Sequence, residues 1–552
     1  MIEGPCEYGD GRTQAQMLEK DIHRLEVRLR ELQTPGSISS MELMNPYSPG
    51  KQSKQKRRHD FQTFPSHEPE STPPNAQLLI DTFFAHAHDI GFFLNIPRFR
   101  NFLNLPQGDP ARPLRGLMSI MYLMGLRLAK LSLPTSTDKA QSEALVAHTM
   151  DEITSMPINS SSHPFLVVQT IQAELLLATY LFVHSRQLEG QYHLTRAFSL
   201  SIGARLNTIQ TTRGRPSISI ESSIDNVSFS PQSISLCSTP PFSLPHTSDP
   251  VVEGERVNAF WTAFTLCNTW DAVVEAPTSL ISVGDGFMEV DTPWPMDMDG
   301  YEQGGFPEDL QCSCTVEKFL NHNLGDTCVH DFSDVAMFAK ASVLFKRARK
   351  IIAQVKQAIG TIDQSTFKAF ATHSNLVRSF RESLPPISTA TATPDRPTIV
   401  GMNLVTHTLA HCSAIQLHSV SFDTDPYSST QSLLAAIYCV QILDDPEVDQ
   451  YLRQPRRLNP VMGVLWGIVC DVFLAYIGSL QTREDLISFT ADALGNPTQD
   501  VQETLTGTFE KLMSIMDRFA PRHLMIRTSL SKSLAAYQIL KGPLDANLQQ
   551  NS

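Results

Sequence analysis

The chain has 552 residues, 41 % of them apolar and 18 % charged, with a formal net charge of −13. That apolar content excludes global disorder and can fill the cores of several ordinary domains, or of one large helical unit with insertions. The acidic balance excludes a protein that clamps phosphates along its whole surface, since such contact needs a local excess of Lys and Arg.

The first element is short. Cys6 lies in Pro5-Cys6-Glu7-Tyr8, followed by the polar run Gly9–Thr13, and residues 1–12 read as a linker. From 13 to 33 the apolar residues Leu18, Ile22, Leu25, Leu29 and Leu32 alternate by four and three. This is the seam of a coiled coil, with Ile22 and Leu29 at a and Leu18, Leu25 and Leu32 at d, a combination that suits two parallel strands. Asp21 at g faces Glu26 at e′ in a homodimer, so a partner with Lys or Arg there would pair better. The competing reading is one amphipathic helix packed on the body.

Residues 34–75 are rich in Pro, Ser and charge without an apolar period, which predicts a disordered basic linker. Residues 12–58 hold ten Lys/Arg against five Asp/Glu. Lys51, Lys54, Lys56, Arg57 and Arg58 form a compact run, read either as a solvated patch or as a nuclear-import or DNA-backbone segment.

From 76 to 541 the spacing predicts an all-α domain. Helices are expected at 76–94, 112–132, 165–184, 190–206, 254–273, 335–358, 401–420, 431–443, 459–480, 498–519 and 523–541. Two insertions interrupt it: a disordered Ser/Pro-rich tract at 208–250 and an acidic loop at 281–334. Residues 542–552 are expected to be a disordered tail. The apolar run 461–480 is long enough to span a bilayer, but Asp471 at its centre favours a buried helix.

The nine cysteines, with no secretory pattern at Met1–Cys6, are expected as reduced, mostly buried thiols of an intracellular protein. Cys312-x-Cys314 with Cys328-x-His330 is a weak zinc set, because its Cys-x-Cys spacing is tighter than usual. His407, His411 and His418 share a helical stretch without a Glu in H-E-x-x-H order, so packed core histidines are expected. His86 and His88, two apart, point to different faces. Phosphate-loop, dinucleotide and nucleophile-elbow patterns are missing, and no enzymatic role is predicted.

Three stretches of the helical part carry a resemblance. They are Leu188–Gly203 (LEGQYHLTRAFSLSIG), Glu253–Trp261 (EGERVNAFW) and Asp291–Pro295 (DTPWP). In their order and spacing they resemble the fungal-specific transcription factor domain, or middle homology region. The first departs from the family in ending Ala204-Arg205-Leu206 where Leu-His is common, and Cys267-Asn268 stands where Asp-Arg often follows the second. The Cys6–linker–heptad order is similar to the exit from a fungal binuclear zinc cluster, in which six cysteines hold two zinc ions. The resemblance implies a nuclear regulator of RNA polymerase II transcription that pairs as a homo- or heterodimer, binds DNA in its full-length form and responds to a small-molecule effector or co-regulator, with no membrane partner. Cys6 is then a lone remnant ligand: no cofactor is expected in this chain, and zinc only with cysteines encoded upstream. The alternative is a helical interaction or ligand-sensing protein that never touches DNA and pairs with intact family members.

Overall fold

The computed structural model describes residues 75–106, 108–129, 136–156, 165–209, 247–274, 289–304, 315–321, 333–357, 364–387, 399–419, 425–454, 457–480 and 501–550, with 73, 244 and 245. Among them there are seventeen α-helices, three 3₁₀ turns and no strand. All lie in the unit Glu70–Ser552.

In chain order the helices are α1 (Ala76–Phe84), α2 (Ile96–Leu103), α3 (Arg115–Leu128), α4 (Ser136–Thr154), α5 (Leu166–Val183), α6 (Gln187–Gly203), α7 (Pro250–Val274), α8 (Met298–Glu302) and α9 (Thr315–Leu320). The second half has α10 (Asp334–Gln357), α11 (Gln364–Ser383), α12 (Ile399–His418), α13 (Pro426–Gln441), α14 (Pro446–Leu452), α15 (Met462–Leu480), α16 (Val501–Phe519) and α17 (Leu524–Gln550). Neighbours pack in series: α1 on α3, α3 on α5, α5 on α6, α6 on α7, α7 on α10, α10 on α12, α12 on α13 and α15, and α15 on α16 and α17.

Local chemistry explains the boundaries. α13 and α14 each start at an Asp-Pro pair: Asp425 accepts from the amides of Tyr427 and Ser428, Asp445 from those of Glu447 and Val448, and proline sits where no amide is needed. α16 buries Val501, Leu505, Phe509, Leu512, Met513, Met516 and Phe519, a stripe at threes and fours.

The expected helix over 76–94 is divided. It stops at Phe84, passes through a 3₁₀ turn at His88–Ile90 and left-handed Gly91, and restarts at Ile96 behind the Asn95 cap. Gly91 tolerates φ +77, a conformation that stops a helix.

The acidic stretch 281–334 requires a correction. Its described parts are built into the body: Asp291, Thr292, Trp294, Met296 and Tyr301 are buried, and α8 and α9 lie within it. The amides of Asp291 and Thr292 donate to the Asn207 carbonyl at 3.0 and 3.2 Å, and that of Thr315 to Val290 at 2.7 Å. Tyr301 fills the place where a Cβ on Gly254 would come within 2.4 Å of its ring, so α7 needs glycine there. The last helix also continues past the expected end at 541, to Gln550. Most of the Ser/Pro-rich tract lies outside the described residues, as do residues 1–72.

Two helices, Leu166–Val183 and Met462–Leu480, are long and apolar enough to cross a membrane, with 89 % and 61 % of their residues inside the body. α5 is enclosed on all sides, and its polar residues meet partners: Gln172 bonds the backbone of Phe93 (2.7 Å) and Gly91 (3.1 Å), and Gln169 accepts from Leu114 at 2.9 Å. Asp471 of α15 is exposed and pairs with Lys532 at 3.1 Å.

Candidate functional site

Cys6, the heptad residues Leu18–Leu32, the basic run Lys51–Arg58, and Cys312, Cys314, Cys328 and His330 lie outside the described residues. Of the α12 histidines, His407 and His411 are in the core and His418 is half-buried at the helix end. His407 bonds the Pro385 carbonyl at 3.0 Å and the Tyr438 hydroxyl at 3.1 Å, and His411 stacks on the Tyr438 ring with centroids 4.0 Å apart. Burial lowers the pKa of both. Among the described residues no group of three metal-ligating side chains is present.

The three resemblance stretches, apart in sequence, meet in space. Phe198 of α6 packs against Phe260 and Phe264 of α7, at 6.5 and 6.4 Å between centroids. Trp261 of α7 stacks on Trp294 at 4.4 Å, and its indole donates to the Pro293 carbonyl at 2.6 Å. His193 and Arg196, also in the first stretch, hold the fully buried Glu174 of α5 at 2.6 and 2.7 Å. Uncompensated, that carboxylate would be costly inside a helical core.

Trp261 is also one wall of a pocket of about 830 Å³, counting its open mouth. α7 contributes the stripe Trp261, Thr262, Thr265, Leu266, Thr269 and Trp270, one face at helical spacing. α10 adds Val335 and Phe338, α12 adds Gly401, Met402 and Val405, and α5 adds Thr179. Trp270 is held flat against Phe182, with centroids 3.7 Å apart, so this wall is rigid.

The polar corner comes from the 3₁₀ turn and α14. Asp89, with only 1 % of its side chain exposed, receives both Arg457 Nε (3.0 Å) and Nη2 (2.8 Å) on Oδ2. Oδ1 has no hydrogen-bond partner. Tyr451 has already donated its hydroxyl proton to the Arg457 carbonyl at 2.8 Å, so it cannot serve Oδ1. A Cβ on Gly401 would fall 2.5 Å from the Tyr451 hydroxyl and 2.8 Å from Asp89 Oδ1, so only glycine lets these two groups pack this closely on α12. Burial raises the Asp89 pKa to about 6 against the opposing charge of Arg457, and lowers that of neighbouring His86 to about 4.

This arrangement is suited to recognition: an apolar enclosure with a few fixed polar groups at one end. Sequence reasoning named His88 and the Trp261 stretch and missed Asp89, Arg457, Tyr451 and Gly401. Asp89 and Arg457 are 368 positions apart. The one local signal was an acidic residue within the apolar run AHAHDIGFF. Comparisons of the chain with protein-family models, curated proteins and solved structures return no match.

Proposed function

We propose that this chain is a nuclear regulator of RNA polymerase II transcription of the fungal zinc-cluster kind, whose helical body senses a small effector. The observation that carries this is the convergence of the three stretches. Phe198, Phe260, Trp261 and Trp294, quoted for the resemblance from sequence, form one packed aromatic group beside the pocket. Further support comes from the heptads and the basic run, which suit pairing and nuclear import. A second reading keeps the same body as a helical interaction or ligand-sensing protein that pairs with chains carrying the DNA reader.

Tethering tests the function. The full chain fused to a heterologous DNA-binding module should change expression of a reporter bearing that module's site. A reporter unchanged by a fusion that is stably produced and bound to its site would refute the proposal.

A further inference from the structure

Two donors on the inner wall of the pocket have nothing to bond. Thr265 and Trp270 of α7 both line it and are 4 % and 2 % exposed. Beside them, the Thr179 and Thr269 hydroxyls donate to carbonyls of their own helices, those of Leu175 at 2.9 Å and Thr265 at 3.0 Å. The Thr265 hydroxyl and the Trp270 indole N–H make no such bond and have no partner among the described residues. Unlike Asp89 Oδ1, neither atom is sealed in by its neighbours. An indole N–H can only donate and a hydroxyl can donate too, so an oxygen acceptor would satisfy both. The titratable groups lining the cavity are His88, exposed at its rim, Asp89, paired with Arg457, and Tyr451, with Arg127 beside it. Neither arginine lines the cavity, and the free donors are neutral, so a carboxylate placed against them would lose its hydration without a countercharge on the wall.

We infer that the pocket takes an uncharged, largely apolar molecule bearing a carbonyl, whose oxygen accepts from the Thr265 hydroxyl and the Trp270 indole N–H while its hydrocarbon body lies against Trp261 and Phe338. The inference rests on the pocket being the effector site of the proposed regulator. It is tested on the purified full chain, so that a chain that binds but leaves a reporter unchanged refutes the regulator reading alone.

Calorimetry with four probes of matched size decides it: 2-acetylnaphthalene, 2-isopropylnaphthalene, 2-naphthoate and 1-(2-naphthyl)ethylammonium. Each neutral hydrogen bond should contribute about threefold, so the ketone should bind about tenfold more tightly than the hydrocarbon, and more tightly than either ion. Thr265→Val keeps the shape of the wall and removes the hydroxyl, and should cut that preference to about threefold, the share of the Trp270 bond. Thr265→Ser restores a hydroxyl and should keep the full preference, with the melting temperature reporting that both variants are folded. Equal affinity for ketone and hydrocarbon, tightest binding of an ion, an unchanged preference in folded Thr265→Val, a preference lost in folded Thr265→Ser, or no binding of any probe to the folded chain would each overturn it.

Discussion

Trp261 donates its indole N–H to the Pro293 carbonyl at 2.6 Å and lies on Trp294 at an interplanar angle of 26°. One residue thereby ties the segment 289–304 to α7 and forms a wall of the pocket. Trp261→Phe removes the bond and part of the stack from a fully buried position, and should cost about 2–3 kcal/mol. Amide exchange at Thr292 and Met296 should accelerate more than in α16, which is remote in sequence and packs on α15 and α17. Uniform acceleration across both would mean that Trp261 supports only global stability.

The Asp89–Arg457 pair makes a second, separable claim. Arg457→Met strands a buried carboxylate and should cost about 3–5 kcal/mol at pH 7.5. Asp89→Asn combined with Arg457→Met should recover part of that loss, because no uncompensated charge is left. Urea unfolding of the two variants checks it, and a double variant weaker than the single would show that the ion pair is not what Arg457 supplies.

Acidification should destabilise the body. Burial holds the pKa of His86, His184, His373, His407, His411 and His418 below the usual value, with His86 and His373 at about 4. These rings are neutral when folded and charged when unfolded, so stability is lost as pH falls from 6.5 towards 4. Asp89 and Glu255, raised to about 6 and about 7, act oppositely and gain stability as pH falls from 7 towards 4. Asp81, Glu189, Asp249, Asp425 and Glu510, whose pKa values are lowered by their hydrogen-bond partners, add to the loss on the acid side. Between pH 7 and 5, His373→Gln should lessen the loss by on the order of 2 kcal/mol, measured by urea titration at each pH.

How much of this was legible follows from the range of the signals. The α16 stripe is local, and residues at threes and fours announce it; the Asp-Pro starts of α13 and α14 are equally local, yet α13 was expected only from 431 and α14 not at all. Segment 289–304 was misread because Asp297, Asp299 and Glu302 set its composition, while Trp294, Met296 and Tyr301, which bury it, are spaced without a helical or strand period. α11 went unpredicted since it buries only His373, Leu376, Val377 and Phe380 in an otherwise polar run. The Asp89–Arg457 pair beside the pocket was illegible because its partners are 368 positions apart, and no window of sequence holds both.

Pairing is expected to depend on the heptads. Leu25→Glu with Leu29→Glu places charges in the seam and should reduce the mass by light scattering to that of one chain, with the helical body still folded, as the body's described core is built from residues 80–537. An identical mass for wild type and variant would place the interface on the helical body.

A nuclear regulator of transcription, as proposed, occupies promoter DNA in the cell at its native level. Crosslinked chromatin should show the chain enriched at a defined set of promoters, and neutralising Lys54, Lys56, Arg57 and Arg58 together should move it to the cytoplasm and erase that enrichment. A wild-type chain excluded from the nucleus, or present there with no promoter above background, would refute the proposed role.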